Sequence, residues 1–173
     1  MNQAEKPADT GGFFIARQAI ERQEERIMDN FVPFTSDGEN IAIGHGLVTR
    51  TLPKSEWTHA AHFAATLWVL AHHPDWDAAR TMPELIRAYN EATGVSNSDT
   101  SGYHETITQA SIRAARAFLV ERREMPLYEV CNALMESPLG KSDWILTYWS
   151  RERLFSVEAR REWVEPDLLG LKF

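Results

Sequence analysis

The chain has 173 residues, of which 43% are hydrophobic and 25% are charged, a composition typical of a globular domain. Its net charge of −7 argues against a general binder of nucleic acid or of anionic membranes, because an acidic surface repels phosphate groups. Cys131 is the only cysteine, which excludes an internal disulfide and a thiolate metal cage and fits a reducing cytoplasm.

Segments that direct a chain to a membrane are not predicted. The first twelve residues are polar and lack the basic-then-apolar order of a signal peptide. The longest apolar stretch, residues 57–71, contains two histidines and is too short to span a bilayer. We therefore expect a soluble cytoplasmic protein with neither a membrane nor a nucleic acid as its partner.

The first predicted elements are a tail and a helix. Residues 1–12 are typical of a disordered tail, and residues 13–31 carry the apolar stripe of a first helix. Residues 39–51 are ambiguous between a helix and an extended segment, because Gly44 and Gly46 weaken either prediction.

A clear helix is predicted over residues 55–73, and Pro74 ends it because proline disfavours helix in the preceding residue. Apolar side chains occupy more than one side of this segment. Such a broad apolar surface is typical of a central helix, so we expect this one to be the most buried.

The segment over residues 76–93 is predicted to be mostly helical. Thr81 and Glu84 have the spacing of a capping box, which predicts that a fresh helix begins at about Met82. Gly94 follows the last residue of the pattern and is expected to end this helix.

Two more helices and several short ones complete the chain. The pattern predicts a helix over residues 103–123 and a short one from Pro126 to Met135, and Ser156 is the expected N-cap of the last helix. No strand alternation is evident. The predicted class is all-α, with residues 13–173 forming a single-domain antiparallel helical bundle that has short C-terminal helices.

Ionisable residues from two segments are predicted to meet at one end of this bundle. The helix from Ser55 is about 27 Å long at ~1.5 Å per residue, and the returning helix has a similar length. An up-down hairpin therefore brings residues 103–105 back to the level at which the first helix starts. The candidate site consists of Glu56, His59, His62, Tyr103, His104 and Glu105.

Three of these residues share one helix in the prediction. Glu56, His59 and His62 are spaced i, i+3, i+6, which places them in a slanted row of neighbours. They stand among apolar residues and therefore need polar partners, which His104 or Glu105 would supply.

One hypothesis for this cluster is a metal site. His59, His62 and His104 would bind a divalent metal, zinc or iron, and leave a coordination position open for water or substrate. Di-iron bundles use a Glu-x-x-His step twice, whereas this chain has a single copy at residues 56–59, so a ferritin-like centre is disfavoured.

The second hypothesis needs no metal. A Glu–His pair would act as general base and acid, with Tyr103 as a further donor, and the helix N-terminus there would favour an anionic group of the substrate. A purely structural interpretation stays open as well. His104 and Glu105 stand where capping residues are common, and Glu56 could satisfy backbone N–H groups.

Three blocks of the sequence carry a resemblance. LPKSEWTHAAHFA (52–64), RAYNEATGVSNSDTSGYHETIT (87–108) and RLFSVEARREWVEPDL (153–168) resemble the corresponding segments of a family of small uncharacterised bacterial proteins. The resemblance implies no activity, so the roles expected for individual residues depend on their chemistry alone.

Two functions are consistent with the sequence. The first is an enzyme or binder of a small polar or anionic molecule, with a His/Glu site that works either with or without a metal. The second is a non-catalytic interaction module or homodimer, because aromatic residues are frequent near the C-terminus and can anchor interfaces. These residues are Trp144, Tyr148, Trp149, Phe155 and Trp163.

Overall fold

The computed structural model describes residues 31–173, in which Pro33–Phe173 form one compact unit. This part of the chain contains helices and turns and no strand, which confirms the all-α class. The predicted tail and all but the last residue of the helix predicted over 13–31 lie outside it. No helix in residues 31–173 is both long enough and apolar enough to cross a membrane.

The α-helices are α1 Asp37–Thr49, α2 His59–His72, α3 Ala78–Ala92, α4 Glu105–Val120, α5 Leu127–Glu136, α6 Arg151–Leu154 and α7 Val157–Arg161, and the 3-10 turns are Lys54–Glu56, Pro138–Gly140 and Trp144–Thr147.

Helix α2 lies at the centre of the bundle and contacts α1, α3, α4 and α5. Eight of its residues are buried, more than in any other helix of the described part, as the breadth of its apolar surface predicted. The predicted start at Ser55 is wrong. Thr58 is the N-cap, and its hydroxyl oxygen accepts a hydrogen bond from the Ala61 N–H at 3.2 Å. Residues 54–56 form a separate 3-10 turn before it.

Helix α1 resolves the ambiguity over residues 39–51. Gly44 lies inside this helix, and a Cβ atom added there would fall within the contact distance of the Trp68 indole in α2. A glycine in a helix costs about 1 kcal/mol relative to alanine. Here the missing side chain lets the α1 backbone pack directly on an indole that is only 8% exposed.

Helix α3 begins earlier than the capping-box pattern predicted. Asp77 is its N-cap, and the Asp77 carboxylate accepts a hydrogen bond from the Ala79 N–H at 3.1 Å. The helix then continues without a break, so the predicted fresh start near Met82 is wrong. Gly94 follows the end of α3 with a φ of +74°, a left-handed conformation that suits glycine, as expected for the residue that ends a helix.

Pro83 lies inside α3, where it has no N–H to donate to the carbonyl of Ala79, four residues earlier. The side-chain amide of Gln109 in α4 donates to that carbonyl instead, at 2.7 Å. This bond replaces the missing helical hydrogen bond and joins the two helices.

The C-terminal helices are short and individually capped. The Ser156 hydroxyl oxygen accepts a hydrogen bond from the Ala159 N–H at 3.1 Å, which confirms Ser156 as the N-cap of α7. The Ser150 hydroxyl plays the same role in α6 and accepts from the Arg153 N–H at 3.3 Å. These caps matter because helices of four and five residues have almost no hydrogen bonds of their own.

The last residues of the chain pack on the bundle rather than extending from it. The Asp167 carboxylate accepts hydrogen bonds from the Ser150 N–H at 2.8 Å and from the Ser150 hydroxyl at 2.6 Å. The Leu168 N–H donates to the Tyr148 carbonyl at 3.0 Å, and the ring of Phe173 lies 5.6 Å from that of Tyr148. These contacts hold the last residues against the bundle.

We expect deletion of residues 166–173 to lower the free energy of unfolding by at least about 2 kcal/mol, because it removes these hydrogen bonds and aromatic contacts. Urea denaturation of the full chain and of the truncated chain measures the difference. Leu168→Ser is a matched control, since that side chain is 60% exposed and should tolerate the change. A truncated chain with an unchanged midpoint would show that the docked tail contributes nothing.

Two of the five C-terminal aromatic residues, Trp144 and Trp149, belong to the core, and Tyr148 and Trp163 are partly buried against it. Trp144 is 6% exposed and Trp149 is fully buried, whereas Phe155 is 53% exposed. The interaction module and the homodimer stay predictions. Cys131 is also fully buried, and burial raises the pKa of its thiol to about 12, so it packs as an apolar residue.

Candidate functional site

A pocket of about 360 Å³ opens between α2, α3, α4 and the segment that joins α3 to α4. We call it the His62 pocket and name residues 95–103 the strap. The pocket lies where α2 and α4 begin and α3 ends, the level at which helix lengths predicted a site. Its lining residues are Trp57, His62, Thr66, Ile86, Asn90, Val95, Gly102, Tyr103, His104, Ile107, Thr108 and Ser111.

His62 lies in the first two turns of α2 and lines the pocket. Its imidazole ring lies against the indole of Trp57, with ring centroids 3.9 Å apart and planes inclined by 31°. Neither ring nitrogen has a hydrogen-bond partner within residues 31–173. Burial is the main cause that lowers the pKa of His62 to about 4, and the neighbouring His59 adds to the effect. The ring is therefore neutral at physiological pH.

His59 belongs to a different part of the structure, although it precedes His62 by less than one turn. Its Nε2 atom lies 3.0 Å from the carbonyl oxygen of Leu139 and donates a hydrogen bond to it. Its ring packs edge-on against Phe63 at 5.2 Å. Burial lowers the pKa of His59, and the bond to Leu139 acts in the opposite direction. This histidine fixes a turn and does not line the pocket.

His104 is the N-cap of α4. Its Nδ1 atom accepts a hydrogen bond from the Ile107 N–H at 3.4 Å, and its Nε2 atom donates to the Leu154 carbonyl at 2.9 Å. Both ring nitrogens are thus engaged, which fixes the neutral tautomer with its proton on Nε2. Burial is the largest cause that lowers the pKa of His104 to about 4. The His104 ring forms part of the pocket wall, while its two nitrogen atoms make hydrogen bonds within the protein.

The predicted row of Glu56, His59 and His62 does not form. Glu56 ends the 3-10 turn before α2 and is exposed, so it shares no helical face with the two histidines. The backbone of Trp57, at φ −78° and ψ 61°, interrupts the helical path between them. Glu56 is not among the lining residues of the pocket.

Tyr103 and Glu105 form a separate polar network beside the pocket. The Tyr103 hydroxyl donates to one carboxylate oxygen of Glu105 at 2.8 Å, and the Gln109 amide donates to the other at 2.8 Å. Arg87 lies 3.9 Å above the Tyr103 ring and 3.4 Å from the carboxylate. Burial and the bond to Glu105 raise the pKa of the Tyr103 phenol well above its usual value. The network orients Tyr103 as a wall of the pocket.

A metal shared by His59, His62 and His104 finds no support in this geometry. In the part of the chain that the structure describes, no three His, Cys, Asp or Glu side chains are grouped so that they could hold a metal ion. His59 and His104 also use their Nε2 atoms to donate to carbonyl groups, which leaves only His62 with both ring nitrogens available.

Two hydroxyl groups that α4 contributes to the pocket were not predicted from the sequence. Thr108 and Ser111 lie one and two turns into α4 on the side that faces His62. Their spacing from His104, at i+4 and i+7, places all three on one face of a helix, and this pattern is visible in the sequence. Polar residues on an otherwise apolar helix face were the available signal.

The chain matches no protein-family model, and neither a curated protein nor a solved structure matches it. The resemblance to small bacterial proteins therefore stays a prediction.

Proposed function

We propose that the protein binds a small uncharged molecule in the His62 pocket. The observation that carries this proposal is the His62 imidazole, which lines the pocket and makes no hydrogen bond to residues 31–173. The ring nitrogens of His62 are accessible from the pocket, so water or a ligand there can form a hydrogen bond with them. A ligand with a hydroxyl, amide or carbonyl group would supply the missing bond.

The walls of the pocket favour an uncharged ligand over the anionic one that the sequence suggested. Within residues 31–173, none of the lining residues is a lysine, an arginine or a carboxylate, so an ionic ligand would lose its hydration without gaining an opposite charge from them. Trp57, Ile86, Val95 and Ile107 offer apolar contact, while Asn90, Thr108 and Ser111 offer polar groups. A few polar groups in a mostly apolar cleft are typical of small-molecule sites.

Binding is better supported than acid–base catalysis. A pKa of about 4 makes His62 a weak base at neutral pH, whereas an efficient general base has a pKa near the working pH. The neutral ring instead offers one donor and one acceptor. A free, buried Cys131 suits a cytoplasmic location.

Fragment binding followed by NMR tests the proposal. We expect benzyl alcohol and benzamide to shift the His62 imidazole and Trp57 indole signals with dissociation constants of about 1 mM, a reasonable affinity for ligands of this size. Benzoate and benzylamine have similar shapes but carry a charge, and they should bind at least about tenfold more weakly because the pocket cannot neutralise them.

Two variants make the experiment specific. His62→Leu should weaken benzamide binding about fivefold or more through loss of one hydrogen bond, while His59→Gln should leave it unchanged because His59 lies outside the pocket. Benzoate binding as tightly as benzamide would contradict the proposed selectivity. If His62→Leu left the dissociation constants of the fragments unchanged, the fragments would bind at another site.

A further inference from the structure

The strap forms one wall of the His62 pocket and is attached to the rest of the bundle at two levels. Val95, Gly102 and Tyr103 of the strap line the pocket. Below them, the Asn97 side chain accepts hydrogen bonds from the Tyr103 N–H at 3.1 Å and the Asn90 amide at 2.9 Å. The Asn97 amide also donates to a backbone carbonyl of α3 at 3.0 Å. These bonds fix the base of the strap.

The outer edge of the strap is attached differently, by two arginines of α7. Arg161 binds the Asp99 carboxylate through two parallel hydrogen bonds of 2.8 Å and 2.7 Å. Arg160 donates to the carbonyl groups of Gly102 and Tyr103 at 3.2 Å and 3.0 Å. These contacts join parts of the chain that are 57 to 62 residues apart. We call this set of contacts the arginine clasp.

The ion pair of the arginine clasp is weak enough to break while the bundle stays folded. The pair is solvent-exposed, with 67% and 45% of the Arg161 and Asp99 side chains accessible, so salt weakens it. An exposed ion pair also contributes little stability, which means that breaking it need not unfold the bundle. The backbone of the strap is also constrained at Gly102. The φ of Gly102 is +72°, and a Cβ atom there would lie 2.5 Å from the Ser96 carbonyl.

We propose that the arginine clasp regulates access to the His62 pocket by holding the strap against it. Breaking the pair between Asp99 and Arg161 loosens the outer edge of the strap, which is then held by the two hydrogen bonds of Arg160 alone, while Asn97 keeps its base in place. The inference depends on the proposed function only for its biological meaning, because access to His62 can be measured without any natural ligand.

Diethyl pyrocarbonate is a suitable probe of that access. The unprotonated imidazole nitrogen attacks one carbonyl of the anhydride, a nitrogen–carbon bond forms, and ethyl carbonate leaves. The folded protein is treated at pH 6.5, and mass spectrometry follows carbethoxylation of His62 over time. His45 is exposed and serves as the internal reference for reagent concentration.

We expect Asp99→Asn and Arg161→Gln each to raise the rate at His62 about two- to fivefold, the range that an exposed ion pair allows. The double variant should match the single ones, since all three break the same pair. Added salt should accelerate modification of the wild-type protein and have little effect on the variants. Arg151→Ala, which changes an exposed arginine of α6 that does not contact the strap, is the matched control.

The possible outcomes separate the clasp from the pocket. Equal rates at His62 in the wild type and in both variants overturn the clasp but leave the fragment experiment valid. Additive effects of the two substitutions also overturn it, because independent contributions are not those of one pair. Fragment binding that fails while the clasp variants still accelerate modification would reject the proposed function alone.

Discussion

We expect Gly44→Ala to lower the free energy of unfolding by about 1–2 kcal/mol. Alanine is the better helix former by about 1 kcal/mol, so propensity alone predicts a gain. The structure predicts the opposite, because the added Cβ would overlap the Trp68 indole in the neighbouring helix. Overpacking of this kind forces a buried ring or a backbone to shift, at a typical cost of 1–3 kcal/mol.

Gly38→Ala is the matched control for this prediction, since it makes the same chemical change in the same helix. Gly38 is exposed, and a Cβ atom there would meet only the Ser36 hydroxyl at an ordinary distance of 3.4 Å. This variant should be as stable as the wild type or slightly more stable. Urea denaturation followed by circular dichroism measures both. If Gly44→Ala proved as stable as Gly38→Ala, α1 and α2 could not be packed as described.

The two histidines of the pocket should respond differently to leucine. His104→Leu leaves the Leu154 carbonyl without its donor and the Ile107 N–H without its cap, which should cost about 2–3 kcal/mol. His62→Leu breaks no hydrogen bond to the described protein, so we expect a change below about 1 kcal/mol. Urea denaturation at pH 7.5 measures both variants. An equal loss would show that His62 is as structural as His104.

Lowering the pH tests the same histidines by their charge. Their pKa values in the folded state, about 4, lie below the ordinary 6.5, so the unfolded chain takes up protons first. The neutral forms therefore stabilise the fold fully above pH 6.5, and this contribution is lost as the pH falls from 6.5 through 4. A shift of this size corresponds to about 3 kcal/mol for each histidine.

Comparing a variant with the wild type separates the contribution of one histidine to the pH dependence of the free energy of unfolding from the contribution of the carboxylates. Relative to the wild type, His62→Leu should gain about 3 kcal/mol between pH 7.5 and pH 4, because it lacks a histidine that must be protonated. His59→Gln is a useful companion, since the pKa of His59 is also lowered by burial and its removal should change stability in the same direction. A pH-independent difference between wild type and His62→Leu would contradict the lowered pKa.

The general architecture could be predicted because it depends on patterns within single segments. The broad apolar surface of residues 55–73 predicted a central helix, and helix lengths predicted that the starts of α2 and α4 lie at one level. Both are properties of helix geometry that neighbouring segments alter little. The pocket is found at that level, lined by His62, Tyr103 and His104.

The partners of individual side chains could not be predicted in this way. His104 is held by the carbonyl of Leu154, which lies 50 residues further along the chain, and His59 by that of Leu139, 80 residues further. Their spacing within the sequence says nothing about which carbonyl group will lie opposite. A shift of the start of α2 from Ser55 to His59 was enough to remove Glu56 from the row, and helix ends are the least certain part of any prediction.

The bond between Gln109 and the carbonyl opposite Pro83 has a consequence for how the bundle folds. A proline in the middle of an isolated helix costs about 3 kcal/mol, so the segment that becomes α3 should be poorly helical on its own. The compensating bond at 2.7 Å exists only once α4 has docked. Helix formation in α3 is thus coupled to the assembly of its neighbour, and a partly folded chain gains little by forming α3 first.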